Sequence, residues 1–145
     1  MNPSDMVVFE NRDMIVINKP SGLLSVPGRG DDKQDCAITR VQAVAPSALV
    51  VHRLDMSTSG LLLFAKGARM QRLLSQAFQN RETNKQYRAI VLGVPAAKDH
   101  VWQTINEPLI VDWPNRPKSK VCYETGKASV TEWRVSDTPF KPRAE

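Results

Sequence analysis

The residues best suited to chemistry lie together in the run His52-Arg53-Leu54-Asp55, which leads into the small-residue stretch Ser57-Thr58-Ser59-Gly60. Asp55 follows an apolar segment and precedes a turn, the kind of position where a scaffold holds a carboxylate rigidly at a cleft. A carboxylate held in this way can attack as a nucleophile or take a proton as a base. On the tetrapeptide alone a structural role is favoured, either an ion pair with Arg53 or a turn cap accepting from the amides of Ser57 or Thr58. His52 has neither a second ligand nor a nearby serine nucleophile, so it makes neither a metal site nor a triad and is read as orienting the loop. A glycosidase would need a second acid set against Asp55, and Glu82, Glu107 and Asp112 sit in no motif that supplies one. Cys36 and Cys122 are far apart and form no C-x-x-C, which argues against a zinc ribbon or a disulfide framework and fits a reducing cytoplasm.

The elements that must position Asp55 follow from apolar spacing. Val7 to Phe9 and Met14 to Ile17 read as two strands of a hairpin. Lys19-Pro20-Ser21-Gly22 and Pro27-Gly28-Arg29-Gly30 are loops that carry two cations. Ala37, Ile38, Val41 and Val44 recur at helical spacing, with Asp35 as a possible cap and Pro46 as a stop. Leu49 to Val51 and Leu61 to Ala65 are strands on either side of the Asp55 run. Met70, Leu73, Leu74, Ala77 and Phe78 form one face of a helix expected to pack inward. Gln86 to Leu92 alternates as a strand with Tyr87 near its start. Val101 to Gln103 and Leu109 to Val111 are strand fragments, and Asp112 to Lys120 is an irregular loop in which two prolines oppose regular pairing. Val130 to Val135 is a final strand, and Asp137 to Glu145 is polar.

A chain of 145 residues with 41% hydrophobic and 24% charged residues is an ordinary folded domain, with no repeat, low-complexity tract or evident linker. A net charge of +5 and a pI near 9.5 favour an anionic partner, nucleic acid first. No segment approaches the about 18 apolar residues of a membrane helix, and the N-terminus carries no targeting pattern, so no membrane association is expected.

The longer string HRLDMSTSGLLLFAK resembles the RluA-type RNA pseudouridine synthases, which carry H-R-L-D-x-x-[ST]-S-G followed by an apolar strand. Three further segments agree in order: NKPSGLLSVPG from Asn18 to Gly28, KQYRAIVLG from Lys85 to Gly93, and DWPNRPKSKVCYETGKAS from Asp112 to Ser129. The last points to the subgroup acting on both large-subunit ribosomal RNA and tRNA.

The resemblance implies an α/β fold of the α+β type: a mixed, mainly antiparallel sheet with flanking helices, and Asp55 on a loop in a catalytic cleft. It implies isomerisation of a uridine within RNA, with Asp55 as the catalytic carboxylate and neither metal nor organic cofactor. Arg53 matches the arginine beside the catalytic aspartate, expected to hold the RNA backbone or fill the space left by a flipped nucleotide. Tyr87 matches the tyrosine that lies against the target base. Lys19, Arg29, Asn115, Arg116 and Lys118, all in irregular loops, are candidates for RNA contact as a group. Trp102, Trp113 and Trp133 could each stack a base, but tryptophan in short strands is more often core or half-core, so none is given a role.

The family's domain continues into a segment of the form P-x-T-G-R-x-H-Q-L-R whose first arginine pairs with the catalytic aspartate. This sequence has no such segment, so residues 1–145 are expected to be the N-terminal two-thirds of a catalytic domain. A sheet lacking its last strands would expose apolar surface and an unpaired edge, favouring association or a need for another chain. An RNA-binding module without catalysis is the alternative reading.

Overall fold

The computed structural model describes residues 3–93, 95 and 101–136; the tail from Asp137 to Glu145 lies outside them. The chain divides into two compact units, Met1–Tyr87 and Arg88–Glu145.

In the first unit a 3-10 turn, Pro3–Met6, leads into β1 (Val7–Glu10) and β2 (Met14–Lys19), the expected hairpin. Helix α1 (Ala37–Gln42), β3 (Ala48–Val50), β4 (Gly60–Lys66) and α2 (Ala68–Gln79) follow. The four strands form one antiparallel sheet in the order β1-β2-β4-β3. Ile15 pairs with Phe64 and Ile17 with Leu62, and all four side chains are buried. Ala37, Ile38 and Val41 of α1 join them, with Met6, Leu23, Cys36 and Leu54, in a single core.

Three expectations, the last running into the second unit, differ from the structure in whole or in part. Asp35 does not cap α1: its carboxylate is taken by the Arg40 guanidinium at 2.7 and 2.6 Å. The first amides of the helix go instead to backbone carbonyls of an earlier loop, Ala37 N–H to Leu24 at 2.7 Å and Ile38 N–H to Ser25 at 3.2 Å. α2 forms where its spacing predicts and lies against β3 and β4, but none of its residues is fully buried and Leu73 is exposed. Gln86–Leu92 belongs to no strand, because a strand exists only where a neighbour completes its ladder and none among the described residues does so.

The second unit holds β5 (Gln103–Asn106), β6 (Leu109–Val111), β7 (Ser119–Val121) and β8 (Val130–Trp133). β5 pairs with β8 and β6 with β7, both antiparallel. β7 overlaps the end of the stretch expected to be irregular: Pro114 and Pro117 precede it, so pairing resumes as soon as the amides return. At the turn after β7, a Cβ on Gly126 would stand 2.8 Å from the backbone of Pro108, which leaves room for glycine alone. No described residue of this unit is fully buried. Among the described residues no helix is long and apolar enough to cross a membrane.

Candidate active site

The segment Val51–Ser59 between β3 and β4 has no regular structure of its own, so other parts of the first unit must fix its shape. Leu54 points into the core with 8% exposure, and this sends its neighbours Arg53 and Asp55 outward, where both are exposed. The backbone turns at once, with Thr58 N–H donating to the Asp55 carbonyl at 3.1 Å.

The loop after β2 grips this segment at Leu54, Met56 and Ser57. Ser25 Oγ donates to the Leu54 carbonyl at 2.6 Å and accepts from the Leu54 amide at 3.1 Å. Gly22 N–H donates to the Met56 carbonyl at 2.8 Å, from a backbone with φ of 85° that glycine adopts without strain. Ser21 Oγ donates to the Ser57 carbonyl at 2.8 Å. From the other side, His52 Nε2 accepts from the Leu63 amide at 3.1 Å while its ring stacks on Phe78 of α2, centroids 4.4 Å apart. Burial lowers the His52 pKa below 6.5, and the Lys85 charge lowers it further, so the neutral ring serves as the acceptor. His52 thus orients the loop, as its isolation in the sequence suggested.

Lys19 requires a correction. It is fully buried, and its ammonium donates to the carbonyls of Pro20 at 3.0 Å, Leu23 at 2.7 Å and Met56 at 3.2 Å. A group enclosed in this way cannot reach an RNA phosphate. Burial lowers its pKa, and the nearby Asp55 charge partly opposes that shift. The signal was available: Ile15, Ile17 and Lys19 share one face of β2 at the strand period of two.

Neither structural role considered for Asp55 is realised. Among the described residues its carboxylate makes no ion pair with Arg53 and accepts no hydrogen bond; its backbone carbonyl closes the turn instead. The result is an exposed carboxylate on a backbone tied at Leu54, Met56 and Ser57. An open depression of about 620 Å³ lies beside it, bordered by Met56, Pro20, Gly22, Leu24, Lys33 and Arg40, and Asp55 does not line it. Arg29 is exposed in the loop after β2, and Tyr87 is 63% exposed at the end of the first unit.

In the second unit Asn115, Arg116 and Lys118 occupy the β6–β7 loop and are all exposed. No charge or periodicity in the sequence distinguishes Ser21 and Ser25, and Trp113, expected to be core or half-core, is exposed with the Arg116 guanidinium over its ring at 3.9 Å. Among the described residues no three His, Cys, Asp or Glu side chains converge on a point.

The family model described as RNA pseudouridylate synthase matches residues 13–141. The dual-specificity RNA pseudouridine synthase RluA of Escherichia coli (strain K12) is 48% identical over 130 residues, which is 90% of this chain and 58% of the relative. That of Yersinia pestis is 49% identical over 130 residues, again 90% of this chain and 62% of the relative. The chain therefore spans about three-fifths of the length of these curated relatives. Among solved structures, human RNA pseudouridylate synthase domain containing 4 superposes with a TM-score of 0.69 at 22% identity, over 91% of this chain and 54% of that one, a likeness of fold.

Proposed function

The chain belongs to the RNA pseudouridylate synthase family, and from that premise we propose that it converts uridine to pseudouridine within large-subunit ribosomal RNA or tRNA. The observation that carries the reading is the exposed carboxylate of Asp55 on a backbone held by Ser25, Gly22 and Lys19. In the reaction the bond from uracil N1 to the ribose breaks, the base turns, and C5 bonds to the same sugar carbon. C5 loses its proton and N1 gains one, so no redox partner is needed. Asp55 acts as a nucleophile on the sugar or the base, or as the base that removes a ribose proton.

A uridine in folded RNA must leave its stack before any of this, at a cost of a few kcal/mol. Arg53, exposed beside Asp55, is read as holding the backbone or filling the vacated space, and Tyr87 as lying against the uracil. Arg29, Asn115, Arg116 and Lys118 supply polar and cationic contacts, and the net charge of +5 favours them. RNA of these classes puts the work in the cytoplasm.

A second reading, RNA binding without turnover, is favoured by one observation: among the described residues no cation pairs with the Asp55 carboxylate. Tritium release from RNA labelled at uracil C5 separates the two. Release by the chain, abolished in Asp55→Ala, supports the synthase; binding without release supports the second reading.

A further inference from the structure

The β6–β7 loop presents an aromatic side chain that the proposed catalysis does not use. Trp113 is 67% exposed, in a loop with no buried residue. The centre of the Arg116 guanidinium lies 3.9 Å from its ring centroid, and Arg116 Nε donates to the Trp113 carbonyl at 3.2 Å. Two planar groups are thus held together before any ligand arrives.

The rest of the loop is ordered by its own polar groups. Asp112 N–H donates to the Lys118 carbonyl at 2.9 Å, Asn115 N–H to the Asp112 carbonyl at 3.0 Å, and Lys118 N–H to the Asn115 carbonyl at 3.1 Å. Asp112, the one carboxylate in the loop, is engaged by Asn115 Nδ2 at 2.8 Å and by the Lys120 ammonium at 3.8 Å. Arg116 and Lys118 therefore keep their charge for an outside partner; among the described residues neither pairs with a carboxylate. A hydrogen-bonded turn that offers an indole, a guanidinium over its ring and an ammonium with no carboxylate partner among the described residues matches the chemistry of an unpaired nucleotide, whose base has an open face and whose phosphate is anionic. A base inside a duplex hides both faces and does not fit.

We propose that Trp113 and Arg116 form a preassembled platform on which one unpaired base of the RNA stacks, with Lys118 meeting the adjoining phosphate. The proposal rests on the reading that the chain acts on RNA, and its test measures binding rather than turnover.

With Trp102→Phe and Trp133→Phe in place, Trp113 is the one indole left of the three. Fluorescein-labelled oligouridylate is titrated, following its anisotropy and the indole emission together. The expected result is quenching in step with binding, and none on adding a fully paired RNA of equal length. In the otherwise unsubstituted chain Trp113→Ala is expected to weaken oligouridylate binding at least about fivefold without changing its salt dependence. Arg116→Lys, which keeps the charge and loses the plane, is expected to weaken it to a smaller extent. Lys118→Ala is expected to lower the slope of log affinity against log salt by roughly 0.7. If the double phenylalanine variant does not fold, the quenching lost between the unsubstituted chain and Trp113→Phe gives the same readout.

Binding with a silent Trp113, or with Trp113→Ala within twofold of the parent, overturns the platform and leaves the RNA reading standing. Absence of binding to any RNA overturns both.

Discussion

Ser25 Oγ and the backbone of Leu54 are joined twice, the hydroxyl donating to the Leu54 carbonyl at 2.6 Å and accepting from the Leu54 amide at 3.1 Å. One side chain thereby does what a neighbouring strand would do, satisfying both polar groups of a buried residue directly before Asp55. Because Leu54 is fixed by its own burial as well, the outward direction of Asp55 is set by two independent restraints.

Ser25→Ala is therefore expected to leave a buried amide and a buried carbonyl unsatisfied and to lower stability by about 1–3 kcal/mol. Chemical denaturation with an unchanged m-value measures it. Ser25→Thr, which keeps the hydroxyl, should recover most of the loss, and tritium release should follow the same order. A Ser25→Ala chain as stable as its parent would mean that the two bonds carry no weight.

Asp55→Ala presents the opposite case. The side chain is exposed and unbonded among the described residues, so its removal should change stability by no more than about 0.5 kcal/mol. Tritium release should fall by at least about 100-fold, with RNA affinity within a few-fold of the parent. Asp55→Asn should behave alike, since the amide neither attacks nor accepts a proton as the carboxylate does. Retained release in either variant removes Asp55 from the chemistry.

Much of the first unit is legible from spacing: the hairpin, both helices, and the two strands around the Asp55 run lie where alternation and the 3.6-residue period put them. What differs depends mostly on partners outside the local repeat. Asp35 looks like a cap until Arg40 claims it and the carbonyls of Leu24 and Ser25 take the helix amides. Ser25 carries no signal because its partner is 29 residues away. Lys19 reads as a loop cation beside Pro20 and Gly22, although the period of β2 turns it inward. For Gln86–Leu92 the alternation was genuine, but it cannot specify the strand needed to complete the ladder.

The His52 ring gives a pH dependence. Burial and then the Lys85 charge lower its folded pKa below 6.5, so the unfolded chain takes up the proton more readily. Stability is therefore complete above the unfolded value and falls as pH drops through 6.5 toward the folded pKa. Protonation also turns Nε2 from acceptor into donor opposite the Leu63 amide. Denaturation midpoints for the chain should decrease between pH 7.5 and pH 5.5, and His52→Gln should flatten that decrease. An equal decrease in both would assign the dependence to other groups.

Lys19→Met separates a buried tie from an RNA contact. The substitution keeps an unbranched side chain of similar length and removes the donors that hold the carbonyls of Pro20, Leu23 and Met56. Because Met56 adjoins Asp55, the loss should loosen the loop after β2 and the candidate catalytic segment together. Stability should fall by about 1–3 kcal/mol, and tritium release should fall with it, while the salt dependence of RNA binding stays as in the parent. Were Lys19 a phosphate contact, the pattern would invert: stability unchanged, and the salt slope reduced by about one. Denaturation and a salt titration on the same variant distinguish the two, and the full burial of Lys19 leads us to expect the first.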